Sequence, residues 1–201
     1  GFNGTIIGTP PTLKITKIIL LDSGKIHEEE AEKANREQYT RHHPALPFYT
    51  VEEARYVIRY FKPIESNVWT SLSKNIRCRF HYVGHILGAC FIELEMFGNI
   101  FIFSGDVGRL NDPLLFPPTR PKWADFLFLE RNYGDQFHPK DDFEDLVVRL
   151  IKDIIQDRGT LIIPYFAVER IQSLMYLLWG IYKKNKIPNI PIFIDSPMGN
   201  N

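Results

Sequence analysis

Two stretches of this chain place metal-binding side chains where the backbone can approach a ligand closely. "HYVGHILGAC", residues 81–90, sets His85 between Gly84 and Gly88. "FIFSGDVGR", residues 101–109, ends an apolar run in Ser104-Gly105-Asp106, with Gly108 and Arg109 close behind. Glycine tolerates backbone conformations and close contacts that a Cβ forbids. An imidazole nitrogen and a carboxylate oxygen are both donors for a borderline cation such as Zn²⁺. A carboxylate between two such ions bridges them, and the pair activates a water and stabilises a leaving oxygen. Each residue alone has a plainer reading. A lone loop histidine is commonly structural, and an aspartate in a Gly/Asp turn needs no ligand. Two donors do not hold a pair of ions, which needs three or four more.

Further groups stand at the ends of apolar runs. Glu130 closes "DFLFLE", 125–130, and a carboxylate at the carboxyl end of a buried strand is where open α/β folds place site residues. Asp195-Ser196 closes "PIFID" in the same way, and Ser196 could donate a hydrogen bond to a phosphate. "PYFAVER", 164–170, leads through Arg170 into a helix N-terminus, which favours anions, although it lacks the glycines of a P-loop. His81 lies on a strand with no partner visible in the sequence.

The elements that would carry these groups follow from periodicity. Residues 4–8 and 17–22 read as short strands, joined by "TPPTLKIT" as a turn or a short helix with prolines at its start. Residues 25–40 are polar and favour a solvated helix or a mobile excursion, and "RHHPALPFY" is a proline-rich connector. Thr50-x-x-Glu53 is a capping box opening a helix. From 75 to 103 the period changes to strands, with antiparallel pairing through "FGN". "DDFEDLVVRLIKDIIQDRG" is an amphipathic helix, followed by a strand at 160–164, a long apolar helix and a strand at 191–195. A βαβ unit of that kind has parallel strands.

Composition bounds the function class. The 201 residues carry 24 basic and 24 acidic side chains, so no global positive field advertises nucleic acid, although a local groove could still be basic. The two cysteines, Cys78 and Cys90, form neither a metal motif nor a disulfide framework, and a cytoplasmic setting is expected. No signal peptide is expected, and none of the apolar runs in these residues reaches bilayer length. Both ends read as cut from something longer.

The series "GHILGA", "FSGDVGR", "LERNYGDQFH", "LIIPYFAVERIQSLMYLL" and "IFIDSPM" resembles, in that order, the β-CASP branch of the metallo-β-lactamase-fold RNA-processing nucleases. The resemblance implies a mixed α/β fold. Residues 1–134 would be the later part of an αββα metallo-β-lactamase domain, and 135–201 the first part of an inserted parallel α/β domain. It implies two zinc ions in the full-length protein, with His85 a zinc ligand and Asp106 the bridging ligand. It makes Glu130 the acidic residue that pairs with a general-acid histidine, and Arg170 and Ser196 substrate-binding residues. RNA is the implied partner, with no membrane and no stated oligomeric state. The family's HxHxDH motif does not occur in these residues, and the resemblance places it before Gly1 and the later histidines after Asn201. Where the family reads E-S-T-Y-G, this chain has Glu130-Arg131-Asn132-Tyr133-Gly134, which keeps the acidic group. The activity implied is hydrolysis of RNA phosphodiesters, by endonuclease or 5′-exonuclease action. A non-catalytic RNA-binding relative and a small-molecule metallo-hydrolase of the same fold remain the alternatives.

Overall fold

The structure, a computed structural model, describes residues 2–132, 134–135, 142–166, 168–196 and 198. The chain is mixed α/β and divides into two compact units, Gly1–Glu130 and Arg131–Asn201.

The first unit opens with β1 (Ile6–Gly8) and α1 (Pro10–Glu37). Thr9 caps α1 by accepting the Thr12 N–H, and the two prolines occupy positions where a missing N–H costs nothing. The strand expected at 17–22 is instead the middle of this helix. A short apolar run carries no period of its own. The start signal at Thr9 and the helix-favouring Glu/Ala/Lys run after residue 25 carry the helix through it. Its buried positions, Leu13, Gly24, Ala31 and Ala34, fall on one stripe.

Helix α2 (Val51–Ile58) starts at the expected capping box. The Thr50 N–H donates to Glu53 Oε2 at 2.8 Å, and the Glu53 N–H donates to Thr50 Oγ1 at 3.2 Å. Gly24 lets the start of α2 lie against α1, since a Cβ there would stand 3.2 Å from Thr50 C and Val51 N. The Val51 N–H then reaches Glu28 Oε1 at 3.0 Å. After this hairpin, β2 (Phe61–Pro63) pairs parallel with β1.

A five-stranded sheet follows in the order β3 (Thr70–Ser73), β4 (Ile76–Tyr82), β5 (Cys90–Met96), β6 (Asn99–Phe103) and β7 (Phe126–Phe128). Pairing is antiparallel through β6, and β7 runs parallel to β6. The β5–β6 turn uses positive φ at both Phe97 and Gly98, the twist that suits a two-residue hairpin. Val83, Phe91 and Ile102 form the core beneath the site, with Ala89, Ile100 and Ala124 against them.

One face of β4 and β5 carries an ion-pair ladder. Arg77 bonds Glu95 at 2.6 Å, Arg79 bonds Glu93 at 2.7 Å, and His81 Nε2 lies 2.7 Å from Glu93 Oε2. Both guanidiniums stand 4.5 Å over the Trp69 ring. Burial pushes the Glu93 carboxyl up, but hydrogen bonds from Arg79 and His81, reinforced by their charges, bring it below its ordinary range. A carboxyl held below its unfolded value stabilises the fold above that value and loses the contribution as pH falls through the folded one. Glu93→Gln is expected to cost on the order of 1–3 kcal/mol at neutral pH, because Arg79 and His81 lose a charged acceptor. Urea melts at falling pH should show the gap to the parent closing below about pH 4.3. A gap independent of pH would mean that the ladder adds no charge-dependent stability.

The second unit contributes α3 (Phe143–Gln156) and α4 (Arg170–Lys183). Val147, Val148 and Ile151 pack on Leu174, Leu178, Ile181 and Ile187. The strands expected at 160–164 and 191–195 form no ladder among the described residues, and Ile162 and Phe193 are exposed. A strand exists only with a hydrogen-bonded neighbour, and apolar composition supplies the tendency without the partner. No described helix is long and apolar enough to cross a membrane.

Candidate metal centre

Three loops that leave the carboxyl ends of β4, β6 and β7 converge. The first, residues 83–89, is closed at its base by the Val83 N–H donating to Ala89 O at 3.1 Å. Gly84 and Gly88 take φ of +69° and +82°, turns that only glycine makes without strain. His85 sits between them.

The second loop starts at Ser104, whose N–H donates to Phe128 O at 2.9 Å. Gly105, at φ +55°, turns the chain so that Asp106 leaves the sheet. Gly108 brings this loop against the first. Its N–H donates to Val83 O at 2.9 Å, and a Cβ on Gly108 would fall 1.8 Å from Gly84 O and 2.5 Å from His85 N. The result sets His85 Nε2 3.5 Å from Asp106 Oδ2, with the histidine side chain 29% and the aspartate 62% exposed.

Glu130 belongs to the same cluster. Its Oε1 accepts the Val107 N–H at 3.2 Å, and its own N–H donates to Ser104 Oγ at 3.0 Å. Ser104 is buried and donates its hydroxyl to Gly105 O at 2.6 Å, so it joins the end of β6 to the start of the third loop. Sequence reasoning passed over Ser104. The available signal was a hydroxyl residue closing a strand beside Gly-Asp.

The structure therefore brings His85, Asp106 and Glu130 together in the first unit. Arg170 and Ser196 lie in the second, Arg170 as the first residue of α4 and Ser196 at the end of the 191–196 run. The residue before Arg170, Glu169, has φ +66° and makes no side-chain cap. His138 and Tyr133 fall outside the described residues.

Two ligands of one tetrahedral zinc, each about 2.1 Å from it, stand about 3.4 Å apart. The His85–Asp106 separation of 3.5 Å fits two donors of one such ion. Among the described residues, no three His, Cys, Asp or Glu side chains are grouped closely enough to hold one. His85 and Asp106 are two donors at that spacing, and Glu130 bonds the Asp106 loop through the Val107 N–H.

No family model matches the chain. It is 28% identical over 199 residues to Ribonuclease TTHA0252 of Thermus thermophilus, covering 98% of this chain and 42% of that protein. It is 26% identical over 202 residues to the Transcription termination factor FttA of Methanosarcina mazei, covering 97% of this chain and 30% of that protein. Over 129 residues it is 33% identical to Cleavage and polyadenylation specificity factor 73 of Drosophila melanogaster, covering 61% of this chain and 18% of that protein. The chain thus spans less than half the length of these relatives.

Proposed function

This chain is a relative of the β-CASP ribonucleases of the metallo-β-lactamase fold, and from that premise we propose that the protein carrying it is a zinc-dependent RNA hydrolase, acting as an endonuclease or a 5′-exonuclease. The observation that carries the reading is the 3.5 Å juxtaposition of His85 Nε2 and Asp106 Oδ2, two donors of different chemistry held by separate glycine-bearing loops. Two zinc ions, when bound, supply an acidified water and a positive field for the leaving oxygen.

The chain's own residues have distinct tasks in this reading. His85 would offer an imidazole nitrogen and Asp106 a carboxylate to the bound zinc. Glu130 holds the Asp106 loop through the Val107 N–H and orients a proton-donating histidine from another part of the protein. Arg170 and Ser196 donate to phosphate oxygens of the RNA. Residues 1–134 belong to the metallo-β-lactamase domain and 135–201 to the inserted one. The protein works in the cytoplasm, where Cys78 and Cys90 stay as thiols.

The test measures bound zinc and cleavage of single-stranded RNA by the protein that carries this chain, beside His85→Ala. Two zinc ions in the parent are expected. In the variant, zinc affinity should fall and cleavage drop by about 10²-fold or more, the scale of lost electrostatic stabilisation of a transition state. Cleavage that survives removal of zinc by a chelator would end the proposal.

A further inference from the structure

The glycine loop that carries His85 is held at its second end by a helix far away in sequence. We propose that Thr12, in the first turn of α1, is the positioning residue for His85, an inference that rests on the metal-site reading above. Thr12 Oγ1 donates to Gly88 O at 2.5 Å across 76 residues of sequence. Gly88 lies three residues after His85 and is turned to φ +82°, which presents that carbonyl to the helix. The contact is close enough to require glycine: a Cβ at residue 88 would stand 2.5 Å from Thr12 N and 2.9 Å from Pro11 C.

The hydroxyl that makes the bond is itself oriented. Thr9 Oγ1 lies 2.5 Å from Thr12 Oγ1, and Thr9 is buried with 1% exposure. The single proton of Thr12 goes to Gly88 O, so Thr9 donates and Thr12 accepts. A relay Thr9 O–H → Thr12 O–H → Gly88 O=C results. The Thr9 oxygen also accepts the Thr12 N–H at 3.4 Å, which locks both residues into the helix cap. Thr9 and Gly88 are both buried. The relay therefore sits in a desolvated place, where an unmet carbonyl is expensive.

Two clamps then bracket His85. At one end Gly108 fastens Val83, and at the other Thr12 fastens Gly88. Between them the backbone bends at two positive-φ glycines, which by themselves permit several conformations. With the Thr12 clamp gone, the imidazole is free to shift relative to Asp106, and metal–ligand distances tolerate only about 0.2 Å. Residues that orient a ligand without touching the ion typically alter metal affinity by about 10- to 100-fold.

The test is zinc affinity, read by competition with a chelator at fixed pH, in the protein that carries this chain. Thr12→Val removes the hydroxyl at nearly constant shape. Thr12→Ala removes it while favouring the helix, which keeps a folded hydroxyl-free variant available. Both are expected to weaken zinc binding about 10- to 100-fold. Thr12→Ser, which keeps the donor, should bind zinc like the parent. Thr9→Ala is expected to lower the melting temperature without a comparable loss of zinc affinity, because the Thr12–Gly88 bond remains. If the hydroxyl-free variants bind zinc like the parent while His85→Ala does not, Thr12 is a helix-cap residue only and the inference falls. If His85→Ala also leaves zinc binding unchanged, the metal-site reading fails and takes the inference with it.

Discussion

Asp106→Asn, in the protein that carries this chain, is expected to lower RNA cleavage by about 10³-fold while leaving RNA affinity and the stability of the metal-free protein nearly unchanged. The substitution keeps size and shape and removes one negative charge. In the proposed function that charge would offset the repulsion of two Zn²⁺ ions and help retain them, so its loss would weaken the site that acidifies the attacking water. Stability should barely move, because the side chain is 62% exposed and surface substitutions of this kind stay within about 0.5 kcal/mol. Binding should barely move either, because affinity for RNA comes mainly from Lys and Arg contacts to phosphates. A cleavage assay and a binding titration on one preparation, at one salt concentration, separate the two effects. Near-normal cleavage by Asp106→Asn would return "FSGDVGR" to an ordinary turn.

The second large effect is expected from a methyl group. Gly108→Ala puts a Cβ 1.8 Å from Gly84 O, a distance that no side-chain adjustment can relieve because the neighbour is backbone. The Asp106 and His85 loops must then separate. Overpacking of this kind costs about 1–3 kcal/mol, and the loss of the Gly108–Val83 hydrogen bond adds to it. Zinc retention should fall together with stability, because the same contact sets the 3.5 Å spacing of the two donors. Gly105→Ala is the informative comparison. Gly105 has φ +55°, but its nearest neighbour to a Cβ is Cys90 O at 3.5 Å, ordinary van der Waals contact. Its cost should be backbone strain alone, about 1–2 kcal/mol. Denaturant melts and zinc titrations on both variants check the ranking. Gly108→Ala no worse than Gly105→Ala on either measure would show that the close approach of the loops does not matter.

Much of the local structure was legible because its causes are local. The capping box at Thr50, the hairpin at Phe97-Gly98, the β4, β5 and β6 strands and the two long helices of the second unit each follow from patterns within a few residues. The candidate donors His85 and Asp106 were singled out by residue type and neighbouring glycines, again within a short window. The order of several such windows along the chain also carried the family likeness.

Other features needed contacts between distant residues. The run at 17–22 had strand-like composition, and only the continuation of α1 on both sides assigned it to a helix. The runs at 160–164 and 191–195 had the composition of strands but form no ladder among the described residues. His81 showed no partner in the sequence. The β4–β5 register sets Arg79 opposite Glu93 and brings His81 within hydrogen-bond reach of the same carboxylate. The sequence by itself determined which residues could bind a metal and which turns could carry them, because side-chain chemistry and glycine's freedom are properties of single residues. The tertiary structure alone decided that His85 and Asp106 stand 3.5 Å apart, that Gly108 closes on Val83, that Ser104 accepts the Glu130 N–H and that Thr12 bonds Gly88. Those facts come from hydrogen bonds and close backbone contacts across up to 76 residues, a separation over which no local pattern fixes distance.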